Sequence, residues 1–136
     1  MSNENIMRLW NDGATGGVVR PKFVVVAKTS AYTITSADFF SVFTTRGAGA
    51  SVTFTLPAAS SANRGNLVLF ISVANHDMLV AGATGGLVVF NDLTANSIGY
   101  QTGFEYIGGA FLAVSDGTSW VVHPIGTETQ TVTVAT

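Results

Sequence analysis

Residues 51–57 constrain the fold more than any other stretch of the chain. They read Ser-Val-Thr-Phe-Thr-Leu-Pro, so an extended backbone puts Val52, Phe54 and Leu56 on one face and Ser51, Thr53 and Thr55 on the other. Burying such apolar side chains contributes roughly 1.5–3 kcal/mol apiece, and a one-residue slip would turn all of them into water. The alternation therefore sets the register, and Pro57, which has no amide hydrogen to give to a ladder, ends the strand.

Other short segments carry the same kind of signal. Residues 23–27 are rich in β-branched side chains and predict a strand buried on both faces. Tyr32 and Ile34 alternate with Thr33 and Thr35. Ser36 and Asp38 are placed to cap a helical turn running through Phe39, Phe40, Val42 and Phe43. Residues 58–65 lack an apolar period and predict a loop, whereas residues 66–73 are apolar at both parities and predict a central strand covered on both sides. Strands are also expected at 78–80, 87–90 and 104–107, with a polar loop over 91–99. Residues 111–114 and 120–123 flank Asp116-Gly117, a strong hairpin signal. The expectation is an all-β chain, a small antiparallel, jelly-roll-like β-sandwich over residues 23–126. Residues 127–136 would form a C-terminal edge strand or tail, added to this sheet or to a neighbour's.

Residues 1–22 are expected to form a separate N-terminal arm or hairpin. The apolar segment 6–10 is followed by Asp12-Gly13 and Gly16-Gly17, which favour a turn between two extended pieces. The arm either folds back as an edge hairpin or inserts Met7, Leu9 and Trp10 into another subunit. Gly-Ala-Thr-Gly-Gly occurs at 13–17 and again at 82–86, but neither copy has the Lys-Ser/Thr ending of a phosphate loop.

Composition narrows the function classes. The chain is 136 residues long, about one domain, and has no cysteine for a disulfide framework or a thiolate metal site. Only 10% of its residues are charged, against about 25% in an ordinary soluble domain. Its longest apolar runs, 23–27 and 67–71, fall far short of the roughly 18 residues that span a bilayer. The polar, acidic start at Met1-Ser2-Asn3-Glu4-Asn5 does not resemble a secretory signal. So apolar a surface is expected to be covered by other protein chains, with a homo-oligomer as the leading expectation. A net charge of −2 with six scattered basic residues offers no footprint for nucleic acid.

Catalytic chemistry is not expected. His76 and His123 are the only histidines, and the His76-Asp77 pair sits in a turn that presents both groups to water. The eight carboxylates are scattered, with no EF-hand and no His-Glu-x-x-His, so neither a metal nor a cofactor is expected. No Gly-x-Ser-x-Gly elbow occurs. Trp120 follows the hairpin turn, where it closes a core more often than it stacks on a sugar.

The order of four motifs resembles a recurrent β-rich module of tailed-phage virion proteins. They are Tyr32-Thr33-Ile34-Thr35 with Asp38, Thr53-Phe54-Thr55-Leu56-Pro57, Gly65 followed by the aliphatic strand 67–73, and Asp116-Gly117-Thr118-Ser119-Trp120. The resemblance covers about residues 23–125. It implies a small β-sandwich, frequently trimeric, that serves as a capsid decoration (cement) protein, a head fibre or a piece of tail fibre. The expected partners are the major capsid protein and other copies of the chain, and the expected location is the capsid surface of a virion, after synthesis in the host cytoplasm. Met7, Leu9, Trp10 and Arg20 are the candidate capsid- or subunit-contacting residues. The alternative is a fibre or tail-tip module that binds a host receptor or glycan through exposed aromatics such as Tyr100 or Tyr106.

Overall fold

A computed structural model describes residues 22–136. Two sheets pack face to face as a sandwich. We number the strands β1 (Val24–Ala27), β2 (Tyr32–Thr33), β3 (Ser41–Thr44), β4 (Val52–Thr55), β5 (Leu67–Ile71), β6 (Met78–Ala81), β7 (Leu87–Val89), β8 (Asp92–Ala95), β9 (Ser97–Tyr100), β10 (Ala110–Ser115), β11 (Trp120–Ile125) and β12 (Val132–Ala135). Sheet A has the order β1-β3-β5-β10-β11-β7-β8, and sheet B the order β12-β9-β6-β4-β2.

The all-β sandwich agrees with the sequence-based expectation, but the sheets are mixed rather than purely antiparallel. From β1 to β6 the chain crosses to the opposite sheet at every strand, so β1, β3 and β5 lie parallel in one layer and β2, β4 and β6 parallel in the other. A parallel neighbour requires a crossover. Here each crossover is a strand of the other sheet, which leaves no hairpin in this half. Antiparallel pairing enters with β9 on β6 and with the β10–β11 hairpin, whose ladder runs from Ala110↔Ile125 to Ser115↔Trp120. That hairpin closes through a four-residue loop, 116–119, in which Asp116 Oδ1 accepts the amides of Thr118 (2.9 Å) and Ser119 (2.8 Å).

The inner faces share one core. Val52, Phe54 and Leu56 are buried as their alternation predicts, and the Phe54 ring lies 4.9 Å from Phe70 and 5.7 Å from Phe43 between ring centres. Trp120 is buried, and its indole N–H donates to the carbonyl of Pro57 at 2.6 Å, tying the end of β4 to the start of β11. Loop 58–65 is held by Asn63, which accepts from the Ser115 hydroxyl (2.7 Å) and the Ser60 amide (2.9 Å) and donates to the carbonyl of Ala58 (2.9 Å).

Four local expectations are corrected. The helical turn is limited to Ser36–Asp38, and residues 41–44 form β3. The chain leaves the helical path at Phe39 (φ −64°, ψ 144°), and Phe40, at φ 63°, donates its amide to the Leu67 carbonyl at 2.7 Å. Residues 92–95 and 97–100 are strands β8 and β9 and not a polar loop, because their ladders to β7 and β6 need backbone groups more than apolar side chains. Residues 104–107 form no strand; Phe104, at φ 68°, cannot continue one. β1 is not buried on both sides: it forms an edge of sheet A, where Val25 is 64% exposed. The tail strand β12 edges sheet B of its own chain, paired with β9.

Candidate functional site

The two outer faces of the sandwich differ in chemistry. On sheet B, register aligns Thr53, Leu79, Gly99 and Thr133 in one row and Thr33, Thr55, Ala81, Ser97 and Ala135 in the next. Apart from Leu79, which is partly exposed, these side chains are small or hydroxylated, as suits a surface in water. On sheet A, one row runs Val25, Val42, Leu69, Leu112 and His123, and a second runs Leu67, Val114, Val121 and Val88. A third contains Ala27, Thr44, Ile71, Ala110 and Ile125.

These side chains point away from the core because their neighbours Phe43, Val68, Phe70, Phe111, Ala113, Trp120 and Val122 point into it. Leu67, Leu69, Ile71, Val88, Leu112, Val114 and Val121 are all partly exposed. The outward positions of β3, β5, β7, β10 and β11 include no Asp, Glu, Lys or Arg. An aliphatic face of this kind belongs to a sheet covered on both sides. No element among the described residues forms a second layer over it.

Beside the face, Val88, Phe90, Val121, His123 and Pro124 help line an open hollow of about 400 Å³. Phe90 is 63% exposed and sits at φ 52°. A second cleft of about 250 Å³ lies between Phe104, Ile107, Thr127 and Gln130. Gln130 holds it together by donating to the carbonyls of Glu105 (3.2 Å) and Ile107 (3.1 Å), while the Thr131 amide donates to the Glu105 carboxylate (2.8 Å).

The residues singled out from sequence fall in different places. Met7, Leu9, Trp10 and Arg20, together with the first Gly-Ala-Thr-Gly-Gly, lie outside the described residues. Tyr100 is not an exposed aromatic: it is 1% exposed, stacks on Phe111, and donates its hydroxyl to the carbonyls of Ile125 (2.9 Å) and Ala110 (3.3 Å). Burial pushes its phenol above the ordinary value. Tyr106 is partly exposed, and its phenol is raised first by desolvation and then by the Asp77 carboxylate beside it. Asp77 therefore faces a tyrosine, and His76 is only partly exposed in the same turn. His123 lies on the outer face of sheet A, opposite in parity to Trp120 and Val122.

The Tyr-Thr-x-Thr and Asp motif is a structural device. Asp38 Oδ2 accepts from the Tyr32 hydroxyl (3.0 Å), the Thr35 amide (2.9 Å) and the Thr35 hydroxyl (3.1 Å), and Lys28 lies 3.8 Å from the centre of the Tyr32 ring. The bond to Asp38 is the main reason the Tyr32 phenol titrates above its ordinary value. Among the described residues, no three His, Asp or Glu side chains converge to hold a metal ion, and no helix is long and apolar enough to cross a membrane.

The chain matches no family model and no curated protein. The feature that distinguishes its surface, among the described residues, is the aliphatic face of sheet A with its rim. The sequence shows this face directly only in residues 66–73, where both parities are apolar.

Proposed function

We propose that this chain is a non-catalytic structural protein of a tailed-phage virion. In this reading it is a decoration (cement) protein that works as a homotrimer and stabilises the head from outside. Its partners are the major capsid protein and its own copies, and Met7, Leu9, Trp10 and Arg20 make the capsid or subunit contacts. The observation that carries the reading is the uncharged aliphatic face of sheet A, which a lone chain would leave in water. Burying such a face against protein is favourable by roughly 25 cal/mol per Å², with no chemistry required. The four motifs behind the resemblance all hold the sandwich together, which supports a shared scaffold and adds no catalytic role.

The experiment is co-sedimentation of the purified protein with phage heads assembled without it. Wild type is expected to pellet with the heads. Replacing Leu9 and Trp10 by Ala is expected to abolish pelleting while the far-UV spectrum and oligomer mass stay unchanged, and unaltered pelleting would remove the arm from the contact.

A fibre or tail-tip module that binds a host receptor or glycan is the second reading. It is favoured by Phe104, 93% exposed beside the cleft that Gln130 closes. Glycan-array binding lost in Phe104→Ala, with no binding to heads, would select it.

A further inference from the structure

We infer that the outer face of sheet A is the surface on which other copies of this chain dock, the aliphatic faces of three copies turned inward about the trimer axis, while the outer face of sheet B stays in water. The inference rests on the reading of the chain as a self-assembling structural subunit, and it names the surface that assembly uses.

Charge argues for a copy of the same chain. The outward positions of β3, β5, β10, β11 and β7 have only Thr44 and His123 as polar side chains. Two such faces meet without like-charge repulsion, and a partner recognised by its charge would find nothing there to pair with. Area argues the same way. Five strands about 4.8 Å apart, each contributing about five residues at ~3.3 Å, span roughly 400 Å² in projection. That already matches the largest apolar patch of an ordinary monomer. It is about half of the ~800 Å² per partner of a standard interface, and Val25, Phe90 and Ile125, each more than half exposed, extend it at the rim. Branched aliphatic side chains standing off a sheet are also the groups that interdigitate where the faces of neighbouring sheets pack together.

The opposite face has little to gain. Leu79 is its one large apolar side chain, Gly99 offers no side chain, and Thr33, Thr53, Thr55, Ser97 and Thr133 would lose hydrating water without an assured partner. The assembly surface thus lies on the opposite side of the sandwich from β4, the strand that organises the core.

The chain has no cysteine, so one introduced thiol reports on one position. Leu112→Cys and Thr53→Cys are each made in the full chain and treated with a short bis-maleimide under native conditions. The inference predicts covalent two-chain species from Leu112→Cys and none from Thr53→Cys. Cross-linking at Thr53 alone would move the interface to sheet B and overturn the inference while leaving self-assembly intact. An oligomeric wild type that cross-links at neither position would also overturn it. A Leu112→Cys cross-link that appears only after residues 1–21 are deleted would make the chain's own N-terminal segment the occupant, again overturning it. A wild type that stays monomeric at all concentrations would remove the reading on which the inference rests.

Discussion

Tyr100 binds the two sheets together. It belongs to β9 in sheet B, yet its hydroxyl donates to carbonyls on β10 and β11 in sheet A, and a Cβ added at Gly109 would stand 2.7 Å from its ring. Its raised phenol favours the neutral form in the folded chain, so this contribution is complete below about pH 10 and is lost as pH rises through the folded value. Urea midpoints should therefore hold to about pH 9 and fall above about pH 10. Tyr100→Phe should remove much of that fall and lower stability by about 1–2 kcal/mol at neutral pH, because the one hydroxyl hydrogen shared by the Ile125 and Ala110 carbonyls is lost. Tyr32 and Tyr106 shift in the same direction nearer the surface, so part of the alkaline fall remains. Phe104 makes the converse case. Its left-handed φ of 68° is costly for a bulky side chain, and its ring is 93% exposed. Phe104→Asn should raise stability by about 1 kcal/mol, and a lower melting temperature would mean that the ring packs on something the isolated chain does not show. Neither residue is legible in the sequence, where Tyr100 reads as a surface aromatic and Phe104 as part of an alternating strand.

Strand existence is far more legible than strand pairing. Val52, Phe54 and Leu56 alternate, and the inner face follows, because burial depends on parity alone. Parity is the same in a parallel and an antiparallel ladder, so nothing in residues 23–81 discloses that β1 to β6 take turns between the sheets. Only Asp116-Gly117 identifies a neighbour, through its hairpin. β8 escapes notice because its one buried residue is Ala95, and β9 because Gly99 stands between its buried Ile98 and Tyr100 in a stretch otherwise polar on its N-terminal side. β12, also weakly apolar, completes the edge of sheet B with half-buried Val132 and Val134, and Gln130 just before it holds the 104–108 loop. Deleting residues 127–136 should lower stability by about 2 kcal/mol and speed hydrogen exchange in β9 and in that loop. Unchanged exchange would mean that β12 leaves β9 readily in solution.

At the scale of the molecule, the decisive feature is the asymmetry of the outer faces. Low charge and positive hydropathy lead to the expectation that apolar surface is covered, but composition cannot say where. The sequence draws attention to the hydroxylated side of β4. The aliphatic surface instead forms on sheet A, from β5, β10, β11 and β7, which converge only once the chain is folded. Val121→Lys places one charge in its second row, on a partly exposed side chain that the core does not need, and should yield a folded monomer. Thr53→Lys should leave the assembly unchanged. Sedimentation equilibrium of the full chain beside these two variants tests the account most directly. Wild type and Thr53→Lys are predicted to sediment at about three times the 14.1 kDa chain mass and Val121→Lys at one chain mass with a cooperative melt. A wild type that remains a stable monomer at micromolar concentration, or a Val121→Lys protein that still sediments as the trimer, would contradict it.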